Sequence, residues 1–374
     1  MKWSEVPLST VASIRAGGRL GLSGKDFVPQ GVPAWGAGGQ NGLVSEAEGA
    51  GPAVVLSSVG ARCGKCFFVD GQWTTLANTQ LITPEKTKVD PRFLWHQLND
   101  EHSWHRSGTG QPFIKPADVK RRRVRLPPLD EQRRLAALLD RSLMLRLTRE
   151  KALSLGSGLE SAAFRERFGE LHAAHGYGVR RFGELIGASK IGLSRASSEL
   201  RADPTWGTPY VRMDAISLDG TMDLRGLLRA DAAAEENREY SLRPGDLCFN
   251  TRNSRPLVGK CAVFRGQGAY LFNNNILRIR LSDAARPDYV SALLRTRYGL
   301  NELEQRKSGT TAVVAIYEKN LRSLPVPLPP IGEQRAFEED VDHIAGVRSR
   351  GERGLRTLDR LVSSLRRLAM RGDL

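Results

Sequence analysis

The sequence predicts an α+β protein in which two similar mixed domains are separated by two long helices that form an antiparallel coiled coil. Three observations predict it: short motifs occur twice at a nearly constant spacing, short apolar runs alternate with turn residues, and a long proline-free stretch follows each of two Pro-Pro pairs. A unit that is duplicated on one polypeptide also predicts a pseudo-two-fold internal repeat.

The repeat spans nearly the whole chain, because matching motifs lie 195 to 203 residues apart. The matching pairs are Gly64-Lys65-Cys66 with Gly259-Lys260-Cys261, Ser107-Gly108-Thr109 with Ser308-Gly309-Thr310, Pro127-Pro128-Leu129-Asp130-Glu131-Gln132 with Pro329-Pro330-Ile331-Gly332-Glu333-Gln334, and Gly169-Glu170-Leu171 with Gly372-Asp373-Leu374. We therefore expect a first domain over residues 1–126, a first long helix over 127–171, a second domain over 172–327 and a second long helix over 328–374.

Each domain is predicted to contain short strands and few helices. The strand candidates are apolar runs bounded by Gly, Pro, Asn and Asp, at 53–56, 66–69, 247–249, 261–264 and 276–280. Short helices are expected near 91–98 and 287–298. This mixture is typical of an α+β domain.

Two long helices are predicted to start at Pro128 and Pro330, because proline is tolerated at the start of a helix and not in its interior. In the second helix, a coiled-coil seam steps alternately by four and three residues through Phe337, Val341, Ile344, Arg348, Gly351, Leu355, Leu358, Val362, Leu365 and Ala369. The first helix has a less regular seam of Leu135, Leu138, Leu139, Leu143, Leu147, Leu155, Leu159 and Ala163, which Gly156 and Gly158 would loosen. Pairing the two helices would bury both seams.

The formal net charge of +15 indicates either a polyanionic partner or a solvated basic surface. Charge alone does not separate DNA, RNA and acidic membranes. The repeat favours duplex nucleic acid, whose backbone has two-fold symmetry of its own. The sequence has no apolar run long enough for a membrane span and no apolar signal core near Met1, so we expect a cytoplasmic protein.

No catalytic residue and no metal site are expected. The sequence lacks a phosphate-binding loop, the (Asn/Asp)-Pro-Pro-(Tyr/Phe) box of adenine methyltransferases, and the His-Glu-x-x-His and Gly-x-Ser-x-Gly motifs. Cys63 and Cys66 form a Cys-x-x-Cys, but a structural zinc site takes four ligands and Val258 stands at the repeat position of Cys63. Four reduced, largely buried thiols are the expectation, with zinc as the alternative.

The doubled Pro-Pro box before a long helix, in a unit that occurs twice and closes on Gly-(Glu/Asp)-Leu, resembles the specificity subunit of type I restriction–modification enzymes. The resemblance covers essentially the whole chain. The second box departs slightly from the pattern, because Gly332 replaces an acidic or polar residue.

This resemblance implies a non-catalytic DNA reader. Two target recognition domains would each read one half of a bipartite asymmetric site, and the long helices would act as a ruler that sets the unread spacer. The partners would be double-stranded DNA, two modification subunits that methylate adenine with S-adenosylmethionine, and restriction subunits that use ATP and Mg²⁺. The chain itself would bind no cofactor. A pure assembly scaffold, and a single-chain DNA-modifying enzyme with an unrecognised motif, remain the alternatives.

Candidate DNA contacts lie in two loops that precede each Gly-Lys-Cys and in the Ser-Gly-Thr turns. Arg, Lys, Asn and Ser side chains hydrogen-bond base edges or phosphates, and small turn residues let backbone N–H groups approach a phosphate. The candidates are Arg62, Lys65, Ser107, Thr109, Arg252, Asn253, Arg255, Lys260, Ser308 and Thr310. For each, a surface salt bridge or a turn that defines the fold is the structural alternative.

The Pro-Pro box provides the candidate anchors between helix and domain: Pro128, Glu131, Gln132, Pro330, Glu333 and Gln334. The residue types alone suggest helix capping and a favourable interaction with the helix dipole, and the resemblance adds an anchoring role.

Overall fold

The computed structural model describes residues 3–108, 110–169, 176–309 and 313–373. The chain divides into two compact units. The first unit comprises Met1–Glu150 and Arg353–Leu374, and the second comprises Lys151–Glu352. Each unit therefore contains one domain together with part of each long helix.

The first unit is built on two four-stranded sheets. Its strands, numbered β1 to β10 in chain order, are Ser4–Pro7, Ala12–Ala16, Val32–Gly36, Gly39–Val44, Gly49–Ala50, Ala53–Ser57, Cys66–Val69, Gln72–Thr75, Thr79–Pro84 and Arg123–Leu126. An antiparallel sheet has the order β2-β9-β6-β7, and a mixed sheet has the order β4-β3-β8-β5 with β3 parallel to β8. Strands β1 and β10 form a separate antiparallel ribbon.

The second unit repeats this arrangement. Its strands, numbered β11 to β23, are Gly178–Arg181, Ile186–Ile191, Leu200–Arg201, Thr208–Val211, Arg229–Ala230, Leu247–Asn250, Arg252–Asn253, Cys261–Val263, Leu271–Phe272, Ile276–Leu281, Ser308–Gly309, Val314–Ala315 and Pro325–Leu328. The orders are β12-β20-β16-β18 and β13-β15-β14-β19, again with one parallel pair, β14 and β19. A third sheet has the order β17-β22-β21. The antiparallel sheets of the two units thus share one strand order, whereas the parallel pair is central in the first mixed sheet and lies at the edge of the second.

All five predicted strands are confirmed, because continuous apolar runs form strands that are covered on both faces. Every residue of β6 is buried, and so is every residue of β16. An apolar run without alternation predicts such a strand when turn residues bound it.

The helices, numbered α1 to α10, are Pro91–Leu98, Pro116–Arg121, Leu129–Leu155, Leu159–Phe168, Phe182–Leu185, Ala234–Tyr240, Pro287–Arg295, Arg297–Glu304, Glu318–Arg322 and Ile331–Arg371. The 3-10 turns are Leu8–Thr10, Gly24–Asp26, Glu101–Ser103, Gly156–Gly158, Ser197–Glu199 and Met213–Ala215. The helix predicted near 287–298 is confirmed, and the structure divides it into α7 and α8. It is divided at Thr296, whose backbone is extended and whose hydroxyl accepts from Gly299 N to cap α8. None of the helices in the described ranges is both long and apolar enough to span a bilayer.

The two long helices, α3 and α10, run antiparallel, which confirms the predicted coiled coil. In the first unit, Arg146 of α3 forms an ion pair with Asp359 of α10, and Arg149 lies beside Gly354. In the second unit, Leu153 lies against Gly351. Every residue of the predicted α10 seam is buried or half-buried, so its phase is also confirmed.

The predicted seam of the first helix is wrong at Leu147, Leu155 and Leu159, whereas Ala163 is half-buried and packs against the core of the second unit. Leu147, Leu155 and Leu159 are 47%, 72% and 49% exposed, respectively. The contacting face instead continues through Arg146 and Leu153, and α3 ends in the Gly156–Gly158 turn, which changes the helical phase. Leu147 and Leu155, which continue the predicted seam after four and eight residues, therefore point away from α10.

Candidate nucleic-acid interface

Each long helix is fastened to its domain by one buried glutamine of the Pro-Pro box. Gln132 is 1% exposed; its Oε1 accepts from Asp90 N at 2.8 Å, and its Nε2 donates to Pro127 O at 2.8 Å. Gln334 is 0% exposed and makes the same pair of bonds, accepting from Arg286 N at 2.9 Å and donating to Pro329 O at 2.8 Å. In both units the amide joins the start of the long helix to the residue before the short helix that packs on the sheet.

The other residues of the box are used differently in the two units. Glu131 receives two hydrogen bonds from Arg134, each 2.7 Å long, and this pairing lowers the pKa of Glu131. Glu333 accepts a hydrogen bond from the Tyr177 hydroxyl at 3.0 Å. Pro128 and Pro330 are exposed, and their carbonyl oxygens accept the first backbone hydrogen bonds of α3 and α10.

In the first unit, the loop before Gly-Lys-Cys pairs with the segment that follows Ser107. Gly60 N donates to Pro112 O at 2.9 Å, and Ser107 exchanges two backbone hydrogen bonds with Phe113. Val59 is also bridged to Phe113. The structure therefore brings the loop that carries Arg62 next to Ser107, while Thr109 lies outside the described residues.

The second unit makes the same junction in more regular form. Strand β22 pairs with β17, which carries Arg252 and Asn253, and with β21, which carries Ser308. Thr310 lies outside the described residues. In both units, two candidate segments that are distant in sequence thus form one small sheet, which we call the loop sheet (58–60, 107 and 113–114; β17, β21 and β22).

The side chains at the loop sheet of the second unit fall into two groups. Arg252 and Arg255 are exposed, and Arg255 forms an ion pair with Glu304 whose two side chains are 62% and 46% exposed. Asn253 is used internally, because its Nδ2 donates to Asn250 Oδ1 and its Oδ1 accepts from Ser254 N. Exposed guanidinium groups are available to bases and phosphates, whereas the Asn253 amide fixes the loop.

The two repeated lysines have different environments. Lys260 Nζ donates to Met213 O at 3.0 Å and to Ile216 O at 2.6 Å, and burial lowers the pKa of Lys260. Lys65 is half-buried, and its ammonium group forms no hydrogen bond with any residue in the described ranges. Lys260 thus holds a turn in place, whereas Lys65 is free to meet an anion.

Arg62 also contacts its own domain. Its Nη1 donates to Gly38 O at 3.0 Å, which attaches the loop sheet to the turn between β3 and β4. None of the sequence-predicted DNA contacts lies in this β3-β4 hairpin. Its tip, Gly36-Ala37-Gly38-Gly39-Gln40-Asn41-Gly42, contains four glycines, a density that indicates a tight turn. Gln40 and Asn41 are both exposed.

Charged clusters join the long helix to its domain near each glutamine. Their residues are not among those predicted from the sequence. In the first unit, Asp140 accepts from Arg92 Nε at 2.9 Å and lies 2.8 Å from His96 Nε2. Burial would raise the pKa of Asp140, but the hydrogen bonds from Arg92 and His96 outweigh it and leave the pKa lowered. Burial lowers the pKa of His96 more than Asp140 raises it.

In the second unit, Arg265 lies between two carboxylates. Its Nη2 is 2.5 Å from Asp288 Oδ1, and its Nη1 is 2.6 Å from Asp342 Oδ1. Asp288 has a side chain only 6% exposed, and its burial raises its pKa to about 6 despite the pairing with Arg265.

All four cysteines are free and buried, as the sequence predicts. Within the described part of the chain, no group of three or more His, Cys, Asp and Glu side chains is placed to hold a metal ion.

Comparison with known proteins places these features in context. The family model of the type I restriction modification DNA specificity domain matches residues 1–153. The EcoKI specificity subunit of a type I restriction enzyme from Escherichia coli K12 is 23% identical over 282 residues, which cover 70% of this chain and 60% of that protein. A putative type I restriction enzyme MjaX specificity subunit from Methanocaldococcus jannaschii is 27% identical over 175 residues, covering 45% of this chain and 40% of the relative.

A solved structure extends the likeness to the whole fold. The S subunit of a type I restriction–modification system from M. genitalium superposes with a TM-score of 0.61 at 13% identity, covering 98% of this chain and 96% of the other. At this identity the likeness concerns the fold alone. The matched regions span 60% and 40% of the two curated relatives.

Proposed function

We propose that this chain is a non-catalytic DNA-specificity subunit of the type I restriction–modification family, and that it reads a bipartite asymmetric site. The family model over residues 1–153 and the two curated relatives support this proposal. Each domain is a target recognition domain for one half-site. The formal net charge of +15 supports a polyanionic partner, because basic side chains release counterions from DNA phosphates.

One observation carries this proposal: the same loop sheet occurs in both units with different exposed side chains. In the second unit it carries Arg252, with Arg255 two residues beyond β17, and in the first unit Arg62 lies two residues beyond the segment 58–60. A shared backbone scaffold with different side chains is what two readers of unlike half-sites require. Bidentate arginine contacts to guanine are worth about 1–3 kcal/mol of discrimination each.

The partners and cofactors follow from the same proposal. Two modification subunits would supply S-adenosylmethionine and methylate adenine, and restriction subunits would supply ATP-dependent and Mg²⁺-dependent activity. The chain would hold none of these groups itself. The paired helices α3 and α10 would set the length of the unread spacer, and centres of half-sites about 10 bp apart, one turn of the duplex, are the natural expectation.

Methylome sequencing tests the proposal directly. A host that expresses this chain with a modification subunit that assembles with it is compared with a strain that lacks only this chain. We expect a split adenine motif, with two unlike halves around a fixed gap, that disappears with the chain.

Two other results would contradict the proposal. Unchanged methylation in the deletion strain would favour a pure assembly scaffold, particularly if the purified chain binds DNA weakly and without sequence preference. Turnover of S-adenosylmethionine by the purified chain alone would favour a single-chain modifying enzyme.

A further inference from the structure

We propose that the β3-β4 hairpin of the first unit is a base-reading ribbon, and that Gln40 and Asn41 contact at least one A·T pair through the major groove. This inference rests on the proposed function, because it assigns part of the specificity to a segment outside the loop sheet. The hairpin joins Val32–Gly36 to Gly39–Val44 through a two-residue turn at Ala37 and Gly38.

A β-bulge gives the hairpin its two exposed amides. Trp35 pairs with Gln40 and Ala34 pairs with Gly42, so Asn41 is an extra residue with no partner on β3. Successive side chains of a regular strand point to opposite faces, whereas a bulge re-aims one of them. Here, Gln40 and Asn41 are adjacent and both exposed, although β4 belongs to a four-stranded sheet.

The tip of the hairpin is held from two sides. The Trp35 ring lies 5.9 Å from the Phe67 ring of β7, between ring centroids, and Arg62 Nη1 donates to Gly38 O at 3.0 Å. Gly39 has a φ of +121°, and a Cβ there would meet the Phe67 ring at 3.4 Å. The turn is therefore fixed relative to the loop sheet before any ligand binds, which reduces the ordering cost of binding.

The chemistry of the tip matches one class of base. Neither the Gln40 amide nor the Asn41 amide forms a side-chain hydrogen bond with any residue that the structure describes. The major groove accepts a two-stranded ribbon, and a Gln or Asn amide pairs bidentately with adenine N6 and N7. Two neighbouring amides on an exposed ribbon thus favour an A·T pair over a G·C pair.

The second unit has a different ribbon at the corresponding position, bridged between Ile216 and Met222, and it lacks the glutamine–asparagine pair. Trp35 is next to the parallel strand β8, and Val211 is next to the parallel strand β19, which makes these two residues equivalent. After Val211 the chain enters the Met213–Ala215 turn, which Lys260 holds through Met213 O. We therefore expect the β3-β4 ribbon to specify one half-site only.

The test uses the chain together with a modification subunit that assembles with it. The variants are Gln40→Ala and Asn41→Ala. The matched control is Gln72→Ala, which changes an exposed glutamine at the start of β8. The hairpin turn lies near the opposite end of β8, because the β3 residues before the turn pair with Thr74 and Thr75. The methylated motif is determined by methylome sequencing and on a randomised DNA library.

We expect one or two neighbouring A·T positions in a single half-site to lose roughly 5- to 150-fold in discrimination, while the other half-site stays unchanged. Gln72→Ala should leave the motif intact. An unchanged motif in both hairpin variants would overturn the inference, and so would a uniform loss at all positions of both halves. If the wild-type chain itself directs no split motif, the proposed function fails instead, so the two failures are distinguishable.

Discussion

The two units fasten their helices with the same glutamine but with opposite electrostatics around it. In the first unit, one carboxylate, Asp140, is flanked by Arg92 and His96. In the second, one guanidinium, Arg265, is flanked by Asp288 and Asp342. The backbone bonds of Gln132 and Gln334 are the same, whereas the central charge of these two clusters is opposite. The second unit also has an arginine–carboxylate pair, Arg286 with Glu338, beside its glutamine.

This difference gives the two clusters opposite pH responses. The lowered pKa of Asp140 means that its ionised form stabilises the folded state above about pH 4 and that this contribution is lost on acidification. The raised pKa of Asp288, about 6 against an ordinary 3.8, means that the folded state binds the proton more tightly than the unfolded state. The stabilisation that protonated Asp288 gives the folded state is therefore complete below pH 3.8 and is lost as the pH rises through about 6.

Replacing Gln132 or Gln334, the two glutamines that fasten the long helices, should have the largest effect on the free energy of unfolding. Gln132→Ala or Gln334→Ala leaves a buried N–H and a buried carbonyl without partners, which costs about 2–4 kcal/mol of unfolding free energy. The two losses should be equal within error, because the two sets of bonds are the same. Urea denaturation followed by far-UV circular dichroism measures them.

Glu131→Ala serves as the control for these two variants, because the exposed ion pair of Glu131 with Arg134 contributes less than about 1 kcal/mol. If Gln334→Ala were as stable as Glu131→Ala, the buried glutamine would not fasten the long helix in both units.

Asp288→Asn should remove the pH response of the second unit. In the wild type, a shift from 3.8 to about 6 corresponds to a loss on the order of 3 kcal/mol between pH 4 and pH 7. The amide cannot ionise, so calorimetric unfolding of the variant should show a flatter dependence over that range. Asp342→Asn, which changes the exposed carboxylate of the same cluster, should keep the wild-type slope, and a flattened slope there would argue against Asp288 as the source.

Arg255→Ala should have the smallest effect on stability and a measurable effect on DNA binding. Its ion pair with Glu304 is exposed and contributes less than about 1 kcal/mol. If Arg255 contacts a phosphate, loss of the charge should weaken binding across sequences and reduce the salt slope by roughly 0.9. Glu304→Ala is the matched control, since it frees the guanidinium, and salt titrations of the assembled complex should show no loss of affinity.

The sequence predicts what depends on local pattern. The doubled box locates both long helices, apolar runs locate the strands, and the strict spacing of the α10 seam gives the correct face. The predicted seam of α3 differs from the observed one, because Leu147 and Leu155 fit a seam in spacing whereas Arg146 and Leu153 make the contacts. Leucine spacing alone does not distinguish two faces of a leucine-rich helix.

Contacts between distant segments could not be read from the sequence. Lys65 and Lys260 are identical by repeat, yet Lys260 binds the Met213–Ala215 turn, which the first unit lacks at the equivalent position. The bulge at Asn41 depends on the register between β3 and β4, and the charged clusters depend on side chains from separate elements. The boundaries of the domains and the DNA contacts remain predictions.

The division of the chain also has a consequence for biosynthesis. The second unit is one continuous stretch, Lys151–Glu352, whereas the core of the first unit includes Ala369, packed with Phe93 and Leu135. Domains generally fold as units while synthesis proceeds from the N-terminus. The first unit, although translated first, completes the cluster around Ala369 only after residues near 369 are made, whereas the second unit can complete its core once residue 352 is made.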